Sequence, residues 1–166
     1  MTRRSTVTVR HRPVETVAQA SGAFVVHAET LAIDTGERTQ LIDLTERVMA
    51  AVRKLPVREG TVSLFSMHTT CTVFINEFQK ALVADMLTYL EHAVPADAEW
   101  LHNHPDHSDC DRQNADAHLR ALLLGHSLTL QVSGGEVVLG QWQRILLAEL
   151  DGPRARTLRM SVMGVA

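Results

Sequence analysis

The residues best suited to do chemistry are concentrated in the segment from Trp100 to His118, which reads WLHNHPDHSDCDRQNADAH. This segment holds four of the nine histidines, four aspartates and one cysteine: His102, His104, His107, His118, Asp106, Asp109, Asp111, Asp116 and Cys110. Imidazole and carboxylate groups at this density suit a divalent metal ion or a proton-transfer site. Their spacing matches no fixed metal-binding signature, so a solvated polar loop remains the competing interpretation.

A second polar cluster, SMHTTCTVFINE at Ser66–Glu77, interrupts a pair of otherwise apolar strands. His68 ends the first of these strands on its apolar face, so we expect it to be partly buried and hydrogen-bonded. It is either a core histidine bonded to a carbonyl or a functional group. Thr69 and Thr70 are either turn formers or hydroxyl donors to an anion. Glu77 is either a solvated acid or a general base.

A third group of candidates lies near the helix predicted at residues 115–124. His118 and Asp116 occupy its first turn, and its remaining residues are apolar nearly all round, which predicts a buried helix. Backbone N–H groups at a helix N-terminus favour an anion and keep a nearby histidine neutral, which favours a functional role for His118. Arg154, Arg156 and Arg159 are most simply exposed strand residues, although an arginine after the turn at 151–153 can bind a phosphate bidentately.

Composition limits the class of protein. With 166 residues, 45% of them hydrophobic and 21% charged, the chain is predicted to form one globular domain over residues 1–166. The net charge of −3 and the scattered basic residues argue against a nucleic-acid partner. No apolar run approaches the roughly 18 residues needed to span a membrane. Two cysteines, and a start without an apolar signal segment, predict a protein of the reducing cytoplasm.

Periodicity and turn signals predict an α+β fold with a largely antiparallel sheet. Strands are predicted at 6–10, 23–27, 29–33, 61–67, 71–76, 127–133, 137–139, 143–150 and 157–162, and helices at 44–55, 80–94 and 115–124. We expect successive strands to form hairpins, including 61–67 with 71–76, and a glycine turn at 134–135. A capping box at 43–46 and an Asn114 cap begin the first and third helices. The aperiodic segment 96–113 is either functional or disordered.

Short motifs in a fixed order make the chain resemble the YjbQ-like family, also named secondary thiamine-phosphate synthase. The matching pieces are HTT at 68–70, INE at 75–77, Asp85, Pro95, HN at 102–103, NADAHL at 114–119, LGHS at 124–127, LGQWQ at 139–143 and DGPRAR at 151–156. The resemblance runs from about Thr6 to the C-terminus. It implies an α+β fold in which a sheet curls toward a barrel, about three helices pack against its ends, and the protein assembles as a homotrimer.

The resemblance also implies the site. The three family histidines correspond to His68, His102 and His118, which we assign to a divalent metal ion, Zn or Mg. The family's acids correspond to Glu77, Asp85 and Asp116, which are the catalytic candidates. The substrate-binding candidates are Thr69, Thr70, Asn76, Asn114, Ser127, Trp142, Gln143 and Arg154. The chain departs from the family in having GQWQ where GTWQ is common, and in the additional His104 and His107, which leave open which loop histidine is the ligand.

Three functions remain open at this point. The family activity joins a hydroxymethylpyrimidine diphosphate to a thiazole phosphate and releases pyrophosphate, so the chain's partner would be a small phosphorylated substrate. This chemistry requires neutralisation of the departing diphosphate. A metal-dependent hydrolase would instead use the three histidines, with Glu77 as base. A non-catalytic small-molecule-binding protein would use the histidines for structure. We predict that His68, His102 and His118 converge within one coordination sphere, as a shared metal ion requires.

Overall fold

The computed structural model of the chain describes residues 16–166. This part contains eight strands, three α-helices and one 3-10 turn. In chain order they are β1 (Phe24–Asp34), β2 (Gln40–Asp43), α1 (Thr45–Val52), β3 (Glu59–Ser66), β4 (Cys71–Asn76), α2 (Lys80–Ala93), the 3-10 turn (Leu101–Asn103), α3 (Ala115–Leu124), β5 (Ser127–Ser133), β6 (Glu136–Val137), β7 (Arg144–Glu149) and β8 (Ala155–Val165). The strand predicted at 6–10 lies outside the described residues.

The strands form two antiparallel sheets that curl into a half-barrel, which confirms the predicted α+β class. The larger sheet has the order β1-β8-β3-β5-β6, and the smaller has the order β2-β7-β4. The main core lies between them, where Leu64 and Met160 of the large sheet meet Val73 and Leu147 of the small one. In β8 every second residue is buried, because one face of the large sheet packs on this core.

The small sheet is covered on both faces, which explains the continuous apolar run in β7. Its residues from Ile145 to Glu149 are all buried. On one face lies the main core, and on the other a second core that includes Ala148, together with Ala117 and Ala121 of α3 and Leu90 of α2. Helices α2 and α3 therefore pack behind the small sheet.

The hairpin predicted between 61–67 and 71–76 is wrong. β3 pairs with β5 and β8, whereas β4 pairs with β7, so the two strands belong to different sheets. The connection from Met67 to Thr70 therefore crosses from the large sheet to the small one. The strands predicted at 23–27 and 29–33 are one strand, β1, which pairs with β8 along its whole length.

The helices lie where they were predicted, but their details differ. The predicted capping box is wrong, because Asp43 accepts from the nearby Thr45 amide at 2.8 Å and no side chain caps α1. Asn114 is the N-cap residue of α3 as predicted, but its side chain donates to Asp151 at 2.8 Å and does not cap the helix. The side chain of Asn103 accepts the first amide of α3 instead, at 2.9 Å.

The prediction that α3 is buried on nearly all sides is also wrong. Leu122 and Leu123 are 74% and 59% exposed, because only one face of the helix packs on the small sheet. That face carries two charged residues, Asp116 and Arg120, whose side chains are 3.3 Å apart and buried together. Within residues 16–166, no helix is both long and apolar enough to cross a membrane.

Candidate functional site

Three segments that connect the two sheets or precede α3 meet at one open pocket of about 470 Å³. They are the β3–β4 connection, the loop leading into α3, and the β7–β8 turn. The residues that line it are Met67, His68, Thr69, Thr70, His102, Cys110, Arg112, Asn114, His118, Asp151, Arg154 and Arg156. We call it the His68 pocket. It gathers all three of the predicted metal-ligand histidines, and four of the predicted substrate-binding residues: Thr69, Thr70, Asn114 and Arg154.

The position of the proton on His68 follows from its hydrogen bonds. The Thr157 amide donates to Nε2 at 2.9 Å, and the Thr157 hydroxyl lies 2.9 Å from the same nitrogen. Because an amide N–H can only donate, Nε2 is the acceptor, and the proton of the neutral ring is on Nδ1. Burial, followed by the charge of Arg156, lowers the pKa of His68, which favours this neutral form. His68 is therefore a neutral hydrogen-bond donor.

The second nitrogen of His68 is free to meet a ligand. Among residues 16–166, no side chain or carbonyl accepts a hydrogen bond from Nδ1, and His68 lines the pocket beside Thr69. A core histidine bonded to a carbonyl, one of the two interpretations from the sequence, does not describe this arrangement. This N–H is therefore available to donate to the acceptor oxygens of a ligand in the pocket.

His102 and His118, which also line the pocket, form a pair of contacting rings. Their ring centroids are 5.1 Å apart and the rings meet edge to face at 83°. Burial, and then the neighbouring His102, lower the pKa of His118, while Asp151 and Asp116 act in the opposite direction. His118 is accordingly a neutral imidazole near pH 7, able to accept a proton or bind a ligand.

The buried carboxylate of Asp151 holds the positive side of the pocket in place. One of its oxygens accepts from Arg154 at 2.6 Å, from Asn114 at 2.8 Å and from Arg112 at 3.2 Å. Arg154 also donates to the Asp151 carbonyl at 2.7 Å. Of the three lining guanidinium groups, Arg156 is neutralised by Glu149, which leaves Arg112 and Arg154 against Asp151, the one carboxylate among residues 16–166 that lines the pocket. This excess of positive charge favours an anionic ligand.

A buried ion pair lies beneath the pocket. Arg156 donates to both carboxylate oxygens of Glu149, through Nε at 2.6 Å and also through Nη2. The same Nη2 donates to the Thr70 hydroxyl at 3.1 Å. Glu149 further accepts from the Asp151 amide at 2.8 Å and from the Thr35 hydroxyl at 2.9 Å. The pair therefore fixes Thr70 and Asp151, which form part of the lining.

The interpretation of Arg156 as an exposed strand residue is wrong, because Arg156 is only 2% exposed. A signal for its burial was present: it precedes Leu158 and Met160 at two-residue spacing, and so lies on the core-facing side of β8. Glu149 also interrupts the otherwise apolar run of β7. A buried acid on one strand and a buried arginine on the next predict an ion pair. Arg159, on the other face of β8, is exposed as expected.

The other predicted site residues do not line the His68 pocket. Glu77, Asp85, Asn76, Ser127, Trp142 and Gln143 are absent from its lining. Asp85 is exposed on α2, and Trp142 is 65% exposed. Asp116 is buried and pairs with Arg38 and Arg120, each at 3.3 Å. In this chain Asp116 is therefore held by two arginines at the start of α3.

The structure distinguishes His102 from the two additional loop histidines. All three histidines are exposed, and the rings of His104 and His107 have their centroids 5.2 Å apart. These two line a different opening, together with Trp100 and Asn103. Of the loop histidines, only His102 lines the His68 pocket.

Whether the three histidines can hold a metal ion depends on whether a nitrogen of His68 is free to bind it. Across residues 16–166, no group of three or more His, Cys, Asp or Glu side chains is arranged to hold a metal ion. His102 and His118 supply two imidazoles in contact. His68 does not complete the set in this conformation, because the Thr157 amide occupies the Nε2 lone pair and Nδ1 carries the proton. The three-histidine metal site stays a prediction.

Comparison with known proteins identifies relatives along nearly the whole described chain. The family model described as UPF0047 protein YjbQ-like matches residues 29–165. A UPF0047 protein of Methanothermobacter thermautotrophicus is 44% identical over 144 residues, covering 86% of this chain and 96% of the relative. The UPF0047 protein YugU of Bacillus subtilis is 34% identical, covering 82% of this chain and 98% of the relative.

Solved structures show the same fold. A protein of unknown function from Sulfolobus solfataricus, described as YbjQ-like, superimposes with a TM-score of 0.79 at 32% identity; the match covers 86% of this chain and 99% of that one. A hypothetical protein from Aeropyrum pernix gives a TM-score of 0.76 at 32% identity, covering 83% of this chain and 98% of that one. None of these descriptions names a substrate or a reaction.

Proposed function

The chain belongs to the UPF0047 YjbQ-like family, and from this membership and the lining of the His68 pocket we propose that it is an enzyme acting on small phosphorylated molecules. As its reaction we propose the joining of a hydroxymethylpyrimidine diphosphate to a thiazole phosphate, with release of pyrophosphate. The observation that carries the proposal is the set of donors around one pocket. Arginine side chains, two threonines and the Nδ1–H of His68, which has no acceptor among residues 16–166, converge there.

The chemistry of this reaction matches those donors. The bond between the hydroxymethyl carbon and the bridging oxygen breaks, and its electron pair leaves with the pyrophosphate. A new bond forms between that carbon and the ring nitrogen of the thiazole. Catalysis therefore consists mainly of placing donors where negative charge develops on the departing oxygens. Arg112 and Arg154 supply charge, and His68 and Thr69 supply neutral donors.

A direct assay tests the reaction. We expect the purified protein to form thiamine phosphate and pyrophosphate in equal amounts from the two substrates, and Arg154→Met to lower the rate by about tenfold or more, since charge-assisted bonds to phosphate are lost. The matched control is Arg47→Met, an exposed arginine of α1 that does not line the pocket, which should leave the rate unchanged. Equal rates for the two variants, or no product at all, would contradict the proposal.

A metal-dependent hydrolase is the second candidate, and the contact between His102 and His118 favours it. A divalent ion, Zn or Mg, bound there would supply Lewis acidity. His102 and His118 would hold it, and His68 would join them only after releasing the Thr157 amide. Glu77 is its predicted base, although Glu77 lies outside the lining within one chain.

Metal analysis tests this candidate with a matched pair of histidine variants. For a hydrolase we expect His118→Ala to lose bound metal and to stay folded, since alanine suits a helix interior. His104→Ala, whose imidazole lies outside the His68 pocket, should keep the metal. The measurement is metal content by elemental analysis, with the thermal midpoint as the check on folding. The same metal content in both variants would argue against the second candidate.

We also propose that the protein is a homotrimer. Val26 and Met163 are paired across β1 and β8, and are 61% and 37% exposed on the outer face of the large sheet. An exposed apolar patch supports an interface between subunits. A trimer would also give Asp85 a place at the boundary of a neighbouring subunit's site. Light scattering should give about three times the 18.4 kDa mass of the chain. A monomeric mass at micromolar concentration would contradict the trimer.

A further inference from the structure

A second cavity adjoins the His68 pocket across the two paired histidines. It has a volume of about 440 Å³ and is lined by Trp100, Leu101, His102, Ala115, His118 and Leu119. We call it the Trp100 slot. His102 and His118 line both cavities, so their rings form the boundary between them. The remaining four lining residues are apolar, whereas the His68 pocket carries the arginines.

The walls of the Trp100 slot are held in place by hydrogen bonds outside it. The indole N–H of Trp100 donates to the Pro95 carbonyl at 2.9 Å, which fixes the ring at the end of α2. The Asn103 side chain accepts from the Ala115 amide at 2.9 Å and so ties the 3-10 turn to the start of α3. Leu101, which is part of that turn, is nevertheless 69% exposed. A fixed apolar wall left open to solvent is a feature of ligand-binding sites.

We propose that the Trp100 slot binds a planar aromatic ring of the same ligand whose phosphate lies in the His68 pocket. Three of its six lining residues are aromatic, and aromatic groups favour edge-to-face and offset contacts with one another. Its volume is that of a small-molecule site. Because the two cavities share a wall of imidazoles, a ring and a phosphate separated by a few bonds reach both. The ligand class is therefore a phosphorylated aromatic molecule, an inference that rests on the proposed function.

Simple probes separate the contribution of the ring from that of the phosphate. Inorganic phosphate, methyl phosphate and phenyl phosphate are titrated into the full chain by calorimetry. We expect phenyl phosphate to bind about fivefold or more tighter than methyl phosphate, since the ring is removed from water. The chain has two tryptophans, so its indole N–H spectrum contains two peaks, and a Trp142→Phe spectrum assigns them. Phenyl phosphate should shift the Trp100 peak, and methyl phosphate should not.

Variants of two leucines on the slot wall locate the ring. Leu101→Ser changes an exposed side chain and should not affect folding, and Leu119→Ala enlarges the slot from α3. Each should reduce the advantage of phenyl over methyl phosphate to less than about twofold, with inorganic phosphate binding unchanged. Leu122→Ala is the matched control, because Leu122 lies on the same helix, is 74% exposed and is outside the slot. It should keep the full advantage.

Each alternative result has a distinct meaning. Equal binding of phenyl and methyl phosphate, or an advantage that persists in Leu101→Ser and Leu119→Ala, overturns the Trp100 slot. If no phosphate binds, the proposed function loses its support, and phenol alone then tests the slot. A phenol-induced shift of the Trp100 peak that Leu101→Ser abolishes supports the ring site, and no shift overturns it. A change of oligomeric mass in Leu101→Ser identifies the slot as a subunit interface and also overturns it.

Discussion

Arg156→Met is expected to lower the free energy of unfolding by about 3–5 kcal/mol, because it leaves the buried carboxylate of Glu149 without its cation. Glu149 is fully buried, and Arg156 is 2% exposed. Chemical denaturation at pH 7 measures the effect. The same change removes the donor that holds the Thr70 hydroxyl, so the lining of the His68 pocket should loosen as well.

The pH dependence of stability provides a second measure of this pair. Burial by itself raises the pKa of Glu149, but the hydrogen bonds from Arg156, the Asp151 amide and Thr35 together lower it below its ordinary value. A carboxyl with a lowered pKa stabilises the fold above its unfolded pKa of about 4.5, and this stability is lost as the pH falls through the folded value. In Arg156→Met the buried carboxylate of Glu149 has no cation and is protonated more readily. The difference in the free energy of unfolding between wild type and variant should therefore become smaller as the pH falls.

Two controls separate the buried pair from general effects of losing a charge. Arg53 and Glu136 form an exposed pair at 2.8 Å, and Arg53→Met should change the unfolding midpoint little, because exposed pairs are screened by water. The double variant that combines Glu149→Gln with Arg156→Met should lose less stability than the sum of the two single variants. Each single variant leaves a buried charge without its partner, whereas the double variant contains neither charge. If Arg156→Met changes the unfolding midpoint as little as Arg53→Met does, the buried pair does not stabilise the fold.

Elements with local signals could be predicted from the sequence. Helix α3 spans the predicted residues Ala115–Leu124, and it ends before Gly125, which has a φ of 81°. The β5–β6 turn also lies where it was predicted, because Gly134 and Gly135 adopt the positive φ angles of 61° and 83° that glycine favours. These features depend on a few neighbouring residues, so a short window of sequence is sufficient.

The pairing of strands could not be predicted in the same way. β3 and β4 are separated by four residues, which suggests a hairpin, yet they belong to different sheets. Their partners are far away in the chain: β3 pairs with β8, and β4 pairs with β7. Strand pairing is determined by which faces the whole core buries, and a local pattern does not contain that information.

The candidate site likewise contains residues that local motifs predict and residues whose role depends on the arrangement of the strands. Motifs predicted His68, His102 and His118, and all three line one pocket. The residues that fix the pocket were not predicted. Glu149 and Arg156 carry a signal, since each occupies a buried position of its strand, but their pairing is clear only once β7 and β8 are placed. Asp151 carries no such signal, because in sequence it looks like a carboxylate in a solvated turn.

His68→Gln is expected to keep the fold and to lower the rate of pyrophosphate release by about 100-fold, the usual effect of removing one donor from a developing anion. Glutamine places its oxygen near the position of Nε2, so it can still accept from the Thr157 amide that His68 now binds at 2.9 Å. It has no N–H at the position of Nδ1. The measurements are the product assay, and the unfolding midpoint, which should remain close to that of the wild type.

His68→Asn is the complementary variant, because asparagine places its amide near the position of Nδ1 but cannot reach the Thr157 amide. It should lose about 1–3 kcal/mol of stability, since that amide is left unpaired, while it retains more activity than His68→Gln. Nitrogen NMR of the wild-type imidazole reads the proton position directly. A proton on Nε2 would contradict the donor role of His68. It would also free the Nδ1 lone pair for a metal ion, which is the arrangement that the hydrolase requires.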